Sequence, residues 1–279
     1  MMESTLFVGE VPVSDADWLA WIGDGTSVVA GGERRLLSRI PPAADRAPLM
    51  NAREFEDAIP LIDESEWDDR IDEQLKNGTR CSDYELWDSY DQNGLPTCWA
   101  NGVASSAALA RVIAGYSYVQ ISSCSLAVPI SGGHSGGYEG DAWDYLVKHG
   151  GVNVDLWPNN DTRRSLNSDP KCVADRENFK GLEALTISGA NFNAYATACL
   201  LSIPGGIAYN DWSHVVGLRD LVRISKGVYG LRIRNNWSES WGSKNRWGKG
   251  GYAVFQRGAR SHGCPTSGVM TRQMTAYAG

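Results

Sequence analysis

Gln92-Asn-Gly-Leu-Pro-Thr-Cys98-Trp99-Ala100-Asn101, running on into Gly102-Val-Ala-Ser-Ser-Ala-Ala-Leu-Ala-Arg111-Val112, is the stretch that decides the fold. A Pro-containing turn gives way to an alanine-rich run. Trp99, Val103, Ala107, Ala110 and Ile113 recur at three- to four-residue spacing, which predicts a helix with one buried face. Cys98 then falls in its first turn, where unpaired N–H groups and the helix dipole favour an anion and lower a thiol pKa. Six residues upstream, Gln92 offers a side-chain amide within reach of the sulfur. A thiolate beside a neutral donor opens acyl-transfer chemistry. On this segment alone, a buried structural cysteine before a tryptophan is an equal reading.

The balance changes downstream. His214-Val215-Val216-Gly217-Leu218 puts a histidine at a strand start, and Ile203 to Tyr209 reads as the strand before it. Tyr229-Gly-Leu-Arg-Ile-Arg234 alternates like a strand and ends in Asn235-Asn236-Trp237-Ser-Glu-Ser-Trp241-Gly242, with Gly251-Tyr252-Ala-Val-Phe255 as a returning strand. Between nucleophile and histidine lies Gly132-Gly133-His134-Ser135-Gly136-Gly137-Tyr138, a glycine-rich passage in which backbone can approach backbone closely. Helices are expected over 141–148 and 193–200. A cysteine, a histidine and an Asn-x-Trp in this order supply a nucleophile, a base and a group to orient the base.

These motifs together resemble the papain-like cysteine peptidases, over roughly residues 58–270. Ile59-Pro60 followed by Asp63 and Trp67 is similar to the start of a mature domain in that family. The resemblance implies an α+β fold of two lobes: a helical left half around a central nucleophile helix, and an antiparallel β-barrel-like right half. It implies Cys98 as nucleophile, His214 as base and Asn235 as the residue holding the imidazole, with Trp237 shielding that contact. Gln92 and the Cys98 backbone N–H would bind the oxyanion. Gly136 and Gly137 would line the cleft, the second binding the substrate main chain by strand addition. Tyr138 would wall the pocket for the residue two before the cleaved bond. Val215 would lie at the base of that pocket, where its branched side chain predicts valine or leucine over phenylalanine or tyrosine.

The implied function is that of a cysteine endopeptidase hydrolysing peptide bonds of a peptide or protein substrate through a thioester acyl-enzyme. That chemistry requires no cofactor and no metal. Two alternatives stay open: a papain-fold structural or binding protein in a larger assembly, and a thiol acyltransferase or amidase on the same fold. The chain departs from the family pattern at Leu95-Pro96-Thr97, at Asn236 and Ser238, and in the short Asn210–Ser213 link before the histidine. Leu95 and His134 stand where the family has a disulfide, and Ala208 where a partner for Cys264 would lie. The resemblance therefore implies a chain without the usual bridges.

Composition bounds the rest. A chain of 279 residues with 11 Trp, 11 Tyr and 42% apolar residues holds one large domain, with or without an appendage. A net charge of −7 argues against nucleic acid or an anionic membrane as partner. Much of the acidic excess lies in 54–91 and reads as a solvated face. The six cysteines form no CxxC pair, against structural zinc. No signal-peptide pattern opens the chain, and its most apolar later stretch, 195–209, is too short to span a membrane. A cytoplasmic or otherwise reducing compartment is expected, possibly within an assembly. Residues 1–57 read as an N-terminal appendage, with a strand over 5–13, a helix carrying Trp18 and Trp21, and a linker at Gly31-Gly32 and Pro41-Pro42. It would pack on the domain, block its cleft as a pro-segment, or dock a protein partner. The peptidase domain is expected over 58–279.

Overall fold

The computed structural model describes residues 38–237, 239, 241, 250–260 and 262–276, and the backbone alone of 27–30 and 33–36. The expected strand over 5–13 and the helix of Trp18 and Trp21 lie outside the described residues. The strands are β1 (Ser27–Ala30), β2 (Glu33–Leu36), β3 (Ala52–Glu54), β4 (Gly181–Ser188), β5 (Gly205–Tyr209), β6 (His214–Ser225), β7 (Val228–Arg234), β8 (Tyr252–Gln256) and β9 (Ser267–Met274). The first two form a hairpin; the others make one sheet in the order β3-β4-β9-β5-β6-β7-β8. Its pairs are antiparallel except β3 with β4. This sheet, with the helix Phe192–Leu200 against it, is the β half, and the fold is α+β with two lobes as the sequence implied.

The helix Cys98–Ile113 runs between the halves, in contact with β5, β6 and β9 on one side and with helices Cys124–Ser131 and Glu139–His149 on the other. The sequence predicts one buried face, but every residue from Cys98 to Arg111 is buried. The reason is its run of small residues. A Cβ added at Gly102 would lie 2.6 Å from Val215 Cγ1, and one at Gly206 would lie 3.0 Å from the Gly102 carbonyl carbon. Helix and sheet therefore meet backbone to backbone, and no face is left for solvent.

Two cores flank this helix. In the β half, Ile207, Tyr209, Trp212, Val216, Leu231 and Phe255 pack with Trp67 and Ile71 of the helix Trp67–Asn77. That helix buries Trp67, Ile71 and Gln74, at i, i+4 and i+7, and leaves Asp69, Asp72 and Glu73 exposed, so the acidic run is a solvated face. It stops at Gly78, whose φ of 62° closes a left-handed cap. In the helical half, Trp99, Leu126, Trp143 and Leu146 belong to the core around the helix Cys98–Ile113. Leu95, at one former bridge position, packs against the apolar cluster of Val128, Val152 and Trp157, while His134 is exposed.

Residues 38–57 lie on this body. β3 is a strand of the main sheet, so the boundary expected after residue 57 falls inside the folded unit. Upstream of it, Arg39 makes a parallel bridge with Gly137, with Gly137 N–H donating to Ser38 O (3.0 Å) and Ile40 N–H to Gly137 O (2.9 Å). No helix among the described residues is long and apolar enough to cross a membrane.

Candidate active site

Cys98 is the first residue of the central helix, so its sulfur sits at the end where N–H groups lack intrahelical partners. His214 is the first residue of β6, entered through Ser213 in the left-handed conformation after the short turn Asn210–Trp212. β6 and β7 pair with Gly217 opposite Arg234. Continuing that register sets Trp237 across from His214 and Asn235 diagonally beside it on the same face. The contacts follow: His214 Nε2 lies 2.8 Å from Asn235 Oδ1. Trp237 lies over the ring at 4.7 Å between centroids, and Trp212 covers it from another side at 4.6 Å. His214 and Asn235 are fully buried.

Gln92 is anchored from three directions. Its backbone N–H donates to Asn236 O, its Oε1 accepts from Trp237 Nε1 (3.0 Å), and its Nε2 donates to Leu95 O (2.7 Å). Asn236, which replaces a serine of the family pattern, donates from Nδ2 to Val215 O (3.0 Å) and so ties the Asn-x-Trp segment to β6. The structure thus brings Gln92, His214, Asn235 and Trp237 to one locus, with the Cys98 sulfur against the backbone of Val215, the residue after His214. Val215 is buried, with its Cγ1 turned onto Gly102 of the nucleophile helix.

The arm of residues 38–40 lies over this locus. Ser38 Oγ is 3.3 Å from Cys98 Sγ, and Arg39 N–H donates to Ser213 O (2.7 Å), next to His214. Glycine is required beneath the arm: a Cβ at Gly136 would stand 2.1 Å from Ser38 O, and one at Gly137 would enter the Trp99 ring. Burial pushes the Cys98 thiol up, opposed by the Ser38 hydroxyl and by backbone groups of Val215, Ser38 and Trp99. Burial pulls His214 down to about 4, opposed by its bond to Asn235. Among the described residues its Nδ1 has no hydrogen-bond partner. Under the arm the pair is therefore held as neutral thiol and neutral imidazole. All six cysteines are unpaired, and burial raises the other five thiols as well.

Beside Cys98, Arg39 turns its side chain into a pocket the motifs did not announce. Its Nε and Nη2 each lie 3.3 Å from the carboxylate of Glu139, Nη2 also donates to Ser267 Oγ (2.9 Å), and Nη1 donates to Asn210 Oδ1. Ser267 Oγ in turn donates to Glu139 Oε1 at 2.5 Å. Tyr138 forms a wall, its ring centroid 5.8 Å from the Arg39 guanidinium carbon. Sequence reasoning missed Ser38, Arg39, Glu139, Asn210, Trp212 and Ser267. For Glu139 a signal was present, an acidic residue next to Tyr138 in the cleft-lining segment; Arg39 sits in no motif.

No family model matches the chain. A cysteine protease of Ambrosia artemisiifolia, Amb a 11.0101, is 27% identical over 219 residues, 70% of this chain and 52% of the relative, so the chain spans about half the length of the curated relative it matches. Digestive procathepsin L 3 of the Tenebrio molitor larval midgut superposes with a TM-score of 0.59 over 96% of this chain and 83% of its own, at 13% identity. Bromelain of Ananas comosus, in complex with the E64 inhibitor, superposes with a TM-score of 0.54 over 68% of this chain and 96% of its own, at 16% identity. The solved structures carry the fold alone, and the curated match adds sequence likeness across most of the described body. With the thiol at the helix start and the histidine–asparagine contact beside it, these findings make the chain similar to the papain-like cysteine peptidases in fold and, over most of its length, in sequence.

Proposed function

We propose that this chain is a cysteine endopeptidase acting through Cys98, His214 and Asn235, and that residues 38–40 hold it inactive in the form described. The observation that carries the reading is the His214 Nε2 to Asn235 Oδ1 contact of 2.8 Å. It fixes the tautomer: Nε2 bears the hydrogen donated to Asn235, which leaves Nδ1 as the basic atom. Once the arm departs and water enters, Nδ1 takes the Cys98 proton and a thiolate–imidazolium pair forms. The sulfur bonds to a peptide carbonyl carbon, and the carbonyl electron pair moves to oxygen. The Cys98 backbone N–H and Gln92 are the donors for that oxyanion, a kind of donor worth roughly 3–4 kcal/mol when removed. As the C–N bond breaks, the imidazolium passes its proton to the departing amine and a thioester remains. Water, deprotonated by His214, then hydrolyses it and restores the thiol.

The arm supports the inhibitory part of the reading because it uses the places a substrate needs: the Gly137 backbone, the space over Cys98 and the neighbouring pocket. Substrate would be a peptide or protein strand added along Gly137. The test uses the full-length chain with a protease site substituted into the exposed stretch 41–45 and cut after folding. With the released arm removed, a quenched peptide library should be hydrolysed, and His214→Ala should abolish hydrolysis. An uncleaved library, together with Cys98 no more reactive than before the cut, would overturn the proposal.

A further inference from the structure

We infer that the pocket holding Arg39 is a selective site for an arginine side chain of the substrate, with Glu139 as the specificity-determining residue. This rests on the peptidase reading above and adds the chemical class of the preferred substrate. It replaces the expectation, drawn from Val215, of an aliphatic side chain at this position.

The first argument is charge. The Glu139 carboxylate is fully buried, and its cation among the described residues is Arg39, with a side chain 2% exposed. Arg46, the other arginine near Tyr138, is engaged with Asp141 and Asp144 on the outer side of the same helix. Once the arm leaves, the Ser267 hydroxyl is the donor among the described residues that still reaches the carboxylate. A buried charge left without its partner is costly, and a substrate bringing a cation restores the pairing.

The second argument is shape. The guanidinium presents Nε and Nη2 to the two carboxylate oxygens, Nη2 again to Ser267 and Nη1 to Asn210. A planar fork satisfies these acceptors together; an ammonium reaches fewer of them, and a leucine or phenylalanine none. Asn210 is exposed, so the pocket opens to solvent on its side and a side chain can enter there. A site built to bond a polar group discriminates strongly against analogues that lack it.

The third argument is position. Arg39 enters while its backbone neighbours are bonded to Gly137, and Ser38 stands 3.3 Å from the nucleophilic sulfur. The pocket therefore reads a side chain one residue from the one lying over Cys98. The arm runs parallel to Gly137, with Arg39 following Ser38; a substrate strand running antiparallel to it, in the opposite sense to the arm, brings to this pocket the residue two before the cleaved bond.

The experiment uses the full-length chain cut in 41–45 after folding, with quenched peptides that differ only at that residue: arginine, lysine, citrulline, leucine or phenylalanine. Two readouts are taken, kcat/KM and protection of Cys98 from iodoacetamide by the corresponding peptide amides. Arginine should exceed leucine, phenylalanine and the neutral isostere citrulline by about 100-fold or more in kcat/KM, with lysine between. Glu139→Gln should reduce that preference to under about 10-fold. Arginine-selective protection without turnover would uphold the pocket and refute the peptidase reading. Leucine or phenylalanine equal to or better than arginine, in both readouts on the unsubstituted chain, would overturn the inference whether or not Glu139→Gln folds. Glu139 would then be only a latch for the arm.

Discussion

Cutting the folded chain in 41–45 and clearing the arm should raise the alkylation rate of Cys98 at pH 5 by about 30-fold or more. The number follows from the two protonation states. Under the arm Cys98 is raised by burial and His214 is lowered to about 4. Taking an ordinary thiol pKa of about 8.5 as the most generous case, about one molecule in 3,000 is thiolate at pH 5. A cysteine paired with an imidazolium has a pKa near 4 and is mostly thiolate there. The gain in thiolate is partly offset because nucleophilicity falls with pKa. A Brønsted slope near 0.45 across about 4.5 units removes roughly 100-fold, which leaves about 30-fold. Burial of the sulfur beneath Ser38 makes this a lower bound. The assay is iodoacetamide labelling followed by peptide mapping from pH 4 to 9. The intact chain should show a rate that climbs only in the alkaline range, and the cut chain an added plateau reaching down to acid. A cut chain whose labelling keeps a single alkaline rise, with less than a threefold change at pH 5, would refute the ion-pair reasoning.

Mild acid should leave the arm in place. Between pH 5 and 7 the closed state carries one proton on the Cys98 thiol, with His214 lowered to about 4, and the open ion pair carries the same single proton on the imidazole, so opening takes up none. Hydrogen exchange at the Arg39 and Ile40 amides, corrected for intrinsic rates, should therefore keep constant protection from pH 7 down to 5, and a steady loss over that range would count against the ion pair. Separately, Glu85→Gln should destabilise the fold by about 3–5 kcal/mol in urea unfolding. Both Glu85 carboxylate oxygens lie 2.7 Å from Arg219 and one lies 3.3 Å from Arg234, all three side chains are buried, and the substitution strands the Arg219 guanidinium while Arg234 keeps its pair with Glu239.

The family-like motifs made the β half and the nucleophile helix legible because each joins a residue type to a local periodicity. Cys98 opens a helix, His214 opens β6 and Asn235 directly follows β7, all where the spacing put them. The helix's complete burial was not legible. Small residues look permissive in a sequence, and only the approach of Gly102 to Val215 and Gly206 shows that they are there to admit the sheet. The pocket was also hidden. Glu139 opens a helix and belongs to none of the motifs, while its partner Arg39 is 100 positions away in a segment without periodicity. Val215 suggested an aliphatic pocket from its position after the histidine, but its side chain is turned onto the nucleophile helix. A strand residue's number fixes its neighbours along the chain; which face meets the cleft depends on the register of several strands at once.

The arm's contacts explain how one covalent change could switch such a site. Arg39, Gly137 and Ser38 supply a side-chain anchor, a backbone anchor and a cover over the sulfur, each modest on its own. Tethered to β3 through a dozen residues, the arm meets the cleft at an effective concentration on the order of millimolar. A substrate strand using the same glycine and the same carboxylate competes at its own, far lower concentration. Cutting in 41–45 removes no contact from the arm, yet at micromolar protein it lowers the arm's local concentration by roughly 1,000-fold. The inhibitor then becomes an ordinary peptide ligand that dilution clears. On the proposed inhibitory reading, the switch lies in the connectivity of residues 41–51, and the cleft itself can remain rigid.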